Sequence, residues 1–289
     1  MRSQERLSRK EIKFTGIVRT SAGDFKERYG SWALVAGAAE GLGRAFALSL
    51  AGRGFGLILV DLQEEPLRRL GAELEKNSRV PVRLLHLDLA HPDAAGELMK
   101  AIEETSCRLL VYNAAYSRVK GFSENTEPEL ERYVDVNVRT PLRLMRANIL
   151  YQKEHQGERK GIILMSSLAG SWGSRLLAPY GATKAFTQIL SESLYNEWRE
   201  EGFDFLAAIT GATATPGYLG SLPEKRDPPG SVMKPDAVVE EILRALGRSP
   251  LVIPGFTNKL VYFLLTRILP RRTSLRIMDR AVARLYRRD

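Results

Sequence analysis

One cysteine, three histidines and no apolar run long enough to span a bilayer are the scarcities of this 289-residue chain. Cys107 alone cannot close an intramolecular disulfide, so the fold must be held by its core, as in a reducing compartment. His86, His91 and His155 are scattered, and without cysteine or histidine partners at ligand spacing they offer no structural metal site; none is expected. Every apolar stretch falls short of the ~18 residues a spanning helix needs. Met1 to Lys10 has no continuous apolar segment behind it, so it is not read as a secretory signal. These absences point to a cytoplasmic protein, with peripheral membrane contact as the remaining option. Charge is not scarce, and one sign dominates: the net charge is +9, which raises nucleic acid as a partner. The excess gathers near the ends, above all after Lys259, without interleaved aromatics, so no nucleic-acid partner is expected.

What is present is a chain long enough to bury a large core, with apolar and charged fractions of 44% and 27% that exclude wholesale disorder. Short apolar runs alternate with amphipathic stretches. Trp32–Ala36, Phe55–Asp61, Val82–Leu87, Leu109–Tyr112, the run ending at Ser166, Phe203–Ile209 and Leu251–Ile253 read as strands. Helices are expected from Leu42 to Gly52, over Leu67–Lys76, through Leu98 and Ile102, over Glu127–Glu154, around Tyr180 and over Ala237–Leu246. Pro141 inside the long helix predicts a kink. Such alternation means an α/β fold, a parallel sheet of about seven strands with helices on both faces. Residues 1–29 read as an N-terminal extension, 30–254 as the catalytic domain and 255–289 as a basic amphipathic helical extension.

Two groups of residues carry chemistry. Gly37, Gly41 and Gly43 lie between the first strand and the first helix of the domain, where a tight turn and a helix N-terminus suit a pyrophosphate. Asp61 ends the second strand, where a carboxylate can accept from ribose hydroxyls and repel a 2′-phosphate. Glu40 adds negative charge beside the loop and Leu62 offers no guanidinium. Together they favour NAD, while Arg44 and Arg53 keep NADP open. The second group is Ser167, thirteen residues before Tyr180, with Lys184 one helical turn beyond it. A free tyrosine is a poor base at neutral pH; a nearby lysine cation stabilises the phenolate and draws it toward acid/base work, and Ser167 can orient the reacting oxygen.

These residues resemble the short-chain dehydrogenases/reductases from about Tyr29 to Ile253. The resemblance implies a Rossmann-like doubly wound fold and hydride transfer between a nicotinamide and a secondary alcohol or ketone. It implies a catalytic set of Asn137, Ser167, Tyr180 and Lys184, with Asn137 holding a relay water and Lys184 also the nicotinamide ribose. It implies a cofactor site of Gly37, Glu40, Gly41, Leu42, Gly43, Asp61, Asp88, Leu89, Asn113, Ala114, Tyr180, Lys184, Gly211, Thr213 and Thr215. Ala36, Ala115 and Thr210-Gly211 depart from the family's usual threonine, glycine and Pro-Gly, which touches loop detail alone. A homodimer or homotetramer through Glu127–Glu154 and the Tyr180 helix is also implied.

The expected substrate walls, Tyr116–Phe122, Leu168–Leu177 and the lid around Tyr218 and Leu219 in the Gly211–Pro235 loop, are largely apolar, which suits a hydrophobic, steroid- or acyl-like small molecule. An NADP-dependent lipid ketone (3-oxoacyl) reductase and a non-catalytic dinucleotide-binding regulator are the alternatives. In the tail, Arg276, Arg280, Arg284 and Arg287 share one helical stripe and Leu275, Met278, Val282 and Leu285 another. That pattern fits peripheral membrane contact through 256–289 or packing onto the domain.

Overall fold

The computed structural model describes residues 22–154, 158–223 and 232–286; most of the expected N-terminal extension, His155 and Arg287 lie outside them. Seven strands, β1 Trp32–Ala36, β2 Gly56–Asp61, β3 Val82–His86, β4 Leu109–Tyr112, β5 Lys160–Ser167, β6 Phe203–Thr210 and β7 Leu251–Val252, form one sheet in the order β3-β2-β1-β4-β5-β6-β7. Every pairing is parallel, because each crossover carries at least one helix. These are α2 Gly41–Gly52, α3 Glu64–Ser78, α4 Ala94–Thr105, α5 Glu127–Val134, α6 Thr140–Gln152, α7 Ala178–Trp198, α8 Pro216–Ser221 and α9 Pro235–Ala245, preceded by α1 Ala22–Tyr29.

The two-residue period of a strand divides the core. Ala33 and Val35 of β1, with Leu57 and Leu59 of β2, meet Phe46 and Leu50 of α2, Leu70 and Leu74 of α3 and Val239 and Ile242 of α9. Leu34 and Ala36, with Ile58 and Val60, face Leu98 and Ile102 of α4 and Leu144 and Ile149 of α6. Central strands buried on both faces have to be continuously apolar. The strand order reverses between β1 and β4, so their carboxyl ends diverge into a crevice where ligands of such sheets bind. Cys107 is a core residue, its thiol facing the carbonyls of Trp32 and Leu109 and pushed up to about 12 by burial.

The expected helix over Glu127–Glu154 is two helices. Between α5 and α6 the residues Asp135–Arg139 form a π turn, closed by the N–H of Thr140 on the carbonyl of Asp135. The break lies one turn before Pro141, because the missing donor of a proline is felt four residues back, here at Asn137. Pro141 itself sits in the first turn of α6, where its fixed φ is compatible with a helix.

Beyond β7 the chain adds α10 Phe256–Phe263, a π turn Leu264–Ile268 and α11 Arg271–Tyr286. The apolar stripe of α11 turns inward: Val282 is buried and Leu275, Met278 and Leu285 are half-buried, while Arg276, Arg280 and Arg284 are exposed. Of the two options for the tail, α11 takes the packed one. No helix among the described residues is long and apolar enough to cross a membrane.

Candidate active site

Backbone demands build the crevice. Gly37 and Gly41 hold φ of 76° and 55°, a left-handed conformation that side chains resist. A Cβ on Gly37 would lie 2.7 Å from Cα of Ala114, and one on Gly41 would lie 2.9 Å from the Thr215 side chain. The loops after β1, β4 and β6 can close together only because these positions are bare. Asn113 fastens the first two, its amide donating to the Gly37 carbonyl at 2.8 Å. Gly43 has a different function: a Cβ there would run into the Gly37 carbonyl, so it lets α2 start directly under the turn.

The resulting cavity, about 920 Å³, is lined by Gly37, Glu40, Gly41, Leu42, Asp61, Asp88, Leu89, Asn113, Ala114 and Thr215 among others. Ten expected cofactor residues therefore share one space. Gly43 lies beneath it. Tyr180, Lys184, Gly211 and Thr213 do not line it: Gly211 packs against the Asn258 side chain of α10, and the Thr213 hydroxyl donates to the Gly211 carbonyl. Glu40 precedes α2 without capping it through its side chain, so the first amides of α2 remain available to an anion. The residues fit a dinucleotide.

Asp61 has two functions. Its carboxylate accepts from the N–H groups of Ala39 (2.9 Å) and Gln63 (3.0 Å), which ties the glycine turn to the end of β2, and the same carboxylate borders the cavity. Asp88 carries a partner the sequence did not reveal. Arg132 of α5 pairs with both its oxygens at 3.0 and 2.9 Å. Burial works to raise the Asp88 carboxyl, but the Ala90 N–H and Arg132 outweigh it and hold it below the usual carboxylate range. Arg132 and Arg118 flank the Tyr116 ring at 5.7 and 5.4 Å and both border the cavity. Forty-four residues separate Arg132 from Asp88, and no local pattern marks it.

Ser167 ends β5 and accepts the Ala169 N–H at the start of a short turn, Leu168–Gly170. That turn presses on α7: a Cβ on Gly170 would meet the backbone of Lys184 and Ala185, and one on Gly181 the Ala169 carbonyl. The two glycines thus bring the Ser167 hydroxyl against the half-buried Tyr180. Lys184 is buried, its ammonium donating to the Met165 carbonyl at 2.7 Å and standing 5.7 Å from the centre of the Tyr180 ring. Burial pushes Lys184 down to about 8. Burial also raises Tyr180, and a hydrogen bond with Ser167 pulls it partly back. Asn137 is buried with its amide fully committed, accepting from the Tyr116 N–H and donating to the Tyr116 carbonyl and the Thr183 hydroxyl. Its side chain therefore clasps the β4 loop to α7.

Around this set, Ser171 Oγ, Trp172 Nε1 and the Tyr218 hydroxyl are buried with no hydrogen-bond partner among the described residues, polar points on otherwise apolar walls. Trp172 also packs edge-on against Tyr262 of α10 at 5.8 Å.

A hydroxyl, a phenol and a buried amine gathered at the carboxyl end of β5, on a sheet whose crevice has residues fit for a dinucleotide, suit an oxidoreductase acting on CH–OH and C=O groups. Residues 31–224 match the profile of the short chain dehydrogenase family, and the chain belongs to it. It is 31% identical over 240 residues to a 7beta-hydroxysteroid dehydrogenase of Mediterraneibacter gnavus, covering 81% of this chain and 89% of that protein. A structure described under "7beta-hydroxysteroid dehydrogenase stereoselectivity" superposes with a TM-score of 0.80 at 28% identity, over 88% of this chain and 98% of the other. A short-chain dehydrogenase from Sphingobium yanoikuyae in complex with NADPH superposes at 0.69 with 27% identity, over 89% and 96%. The chain is a nicotinamide-dependent oxidoreductase of this family.

The close approach under the glycine turn yields a direct test. Gly43→Ala is expected to cost about 2 kcal/mol of stability through the clash with Gly37 and to weaken NADH binding about tenfold or more. Urea denaturation and fluorescence titration measure both, and wild-type values in each would contradict this account of Gly43.

Proposed function

We propose that this enzyme interconverts a hydrophobic, steroid-like secondary alcohol and its ketone using NAD(H), with Tyr180 as the proton-transferring group. The observation that carries the reading is the convergence of Ser167, Tyr180 and Lys184 at the carboxyl end of β5. The Tyr180 hydroxyl gives its proton to the carbonyl oxygen in reduction and takes it back from the alcohol in oxidation. Ser167 donates a hydrogen bond to the same oxygen, which keeps the reacting carbon oriented. Lys184, as a cation, favours the phenolate and is the residue this reading assigns to the ribose hydroxyls of the cofactor. The Asn137 carbonyl holds the water that connects Lys184 to solvent. The nicotinamide, when bound, accepts or supplies the hydride.

The pH dependence has opposite signs in the two directions. Reduction needs the phenol, so it falls as pH rises through the Tyr180 transition; oxidation needs the phenolate and rises. Tyr180→Phe is expected to bind NADH normally while losing about a thousandfold in turnover on a panel of hydroxysteroids and long-chain 3-oxoacyl compounds. Full turnover by Tyr180→Phe, or profiles without this opposition, would sink the assignment. The same panel separates a steroid substrate from the 3-oxoacyl alternative, and absence of turnover with every member would favour the regulator.

NAD is favoured over NADP because Asp61 and Glu40 place negative charge beside the cavity, and Arg44, the nearest basic candidate in the sequence, is held by Glu73 at 2.7 Å. NADH is expected to bind about tenfold or more tightly than NADPH, with Asp61→Ala narrowing the gap. Tighter NADPH binding by the native chain would reverse the cofactor reading.

Two further features concern partners. On α10 and the π turn after it, Phe256, Leu260, Phe263, Leu264 and Ile268 fall at helical spacing on one stripe and are exposed, Phe256 to 80%, with Lys259 and Arg267 beside them. This stripe supports shallow contact with an anionic membrane surface by a cytoplasmic protein. Exposed Leu142 and Leu150 on α6 and Ile189 on α7 support a homo-oligomer through those helices. Flotation with vesicles containing phosphatidylserine should retain the native chain and release a Phe256→Ser/Phe263→Ser variant. Equal behaviour of the two counts against the membrane contact, and a monomeric mass by light scattering counts against the oligomer.

A further inference from the structure

Helix α11 follows the loop between β5 and α7 contact by contact. The Arg271 guanidinium donates to the Ser171 carbonyl at 2.8 Å, and Leu275 lies over Gly173. Asp279 takes the Arg175 N–H at 3.2 Å and both ends of its guanidinium, at 2.8 and 2.5 Å. At the far end the Tyr286 hydroxyl meets that of Ser221, on α8, at 3.5 Å. The loop joins Ser167 at the end of β5 to the first turn of α7, which carries Tyr180, so α11 packs along the segment that connects the two. Burial raises the Tyr180 and Tyr218 phenols, and Tyr286 adds a smaller upward push to each.

Between loop and helix lies a cavity of about 450 Å³, with Leu176, Ala283 and Tyr286 as its apolar surface and Arg175, Arg280 and Arg284 at its rim. The charge of Arg175 is already matched by Asp279. Arg280 and Arg284 form no ion pair among the described residues, although they sit one turn apart on one helix, where like charges oppose each other. The helix dipole favours basic residues at this end of α11, but it does not account for two of them bordering an apolar cavity.

We propose that α11 is part of the substrate site, and that Arg280 and Arg284 receive an anionic group at the far end of an apolar substrate whose reacting carbon lies at Tyr180. The proposal rests on reading Tyr180 as the proton-transferring residue. It narrows the substrate from any hydrophobic ketone or alcohol to an amphipathic one, apolar along its body and negatively charged away from the reacting oxygen. A guanidinium pair matches a carboxylate in charge and in fork geometry.

Binding can be read without turnover. Decanoate and its uncharged methyl ester are titrated against the full chain and followed by calorimetry. The native chain should bind decanoate about tenfold more tightly than the ester. R280A/R284A should erase that preference and leave ester binding unchanged, R280K/R284K should keep most of it, and R276A, away from the cavity, should keep all of it. Equal binding of the two probes by the native chain, or a preference that survives R280A/R284A, overturns the assignment. A failure of the Tyr180 chemistry would leave these titrations untouched, so the two readings fail separately.

Discussion

The seam between the loops after β1 and β4 is the constraint on which the rest of the site depends. A parallel sheet whose strand order reverses there opens a crevice, and at its base the backbone of Gly37 lies against that of Ala114. The Gly37 and Ala38 N–H groups go to the Val60 carbonyl and those of Asn113 and Ala114 to the Ala36 carbonyl, so few buried backbone groups at the seam are left for water to satisfy. From it α2 departs under Gly43, Asp61 ties the turn to β2, and Asn137 ties the β4 loop to α7 through Tyr116 and Thr183. Tyr180 thus owes its place relative to the crevice to a chain of hydrogen bonds that begins on the far side of the sheet.

Much of this was legible in the sequence because parallel strands have to be apolar on both faces and therefore stand out as short runs. Trp32–Ala36 and Leu109–Tyr112 coincide with the observed strands to the residue. The glycines were legible for a different reason: only they tolerate the φ values and close approaches the crevice needs. The π turn was not, since Pro141 signals a lost donor without saying where the helix will take up the slack. Arg132 was not, because a pairing across forty-four residues leaves no periodic trace. Gly211 and Thr213 follow the expected strand, yet neither lines the cavity; the contacts of Gly211 with α10 and of Thr213 with its own loop depend on tertiary packing that spacing cannot convey.

The tail shows what amphipathicity does and does not decide. The stripe of Leu275, Met278, Val282 and Leu285 required a partner, and membrane, domain and second subunit satisfied the pattern equally well. Specific polar contacts made the choice: the Arg175–Asp279 pair and the Arg271 guanidinium on the Ser171 carbonyl hold α11 to the loop before α7. Each is worth little where exposed, but they fix the register in which the apolar stripe meets the loop. Among the described residues, helix α10 has no comparable contacts along Phe256, Leu260 and Phe263, and its stripe stays exposed.

The electrostatics at the centre are set first by burial. Removing Tyr180 and Lys184 from water disfavours the charged form of each, raising the phenol and pushing the amine down to about 8. Both shifts move the pair toward its neutral state, phenol beside amine. Two influences act the other way. The Ser167 hydrogen bond favours phenolate, and the Met165 carbonyl, 2.7 Å from the Lys184 nitrogen, favours the ammonium. The tyrosine stays raised and the lysine stays lowered, so burial decides both directions and the Ser167 bond only trims the first. A lysine brought down to about 8 is the member of the pair nearer to neutral pH, the range in which a proton is exchanged at modest cost.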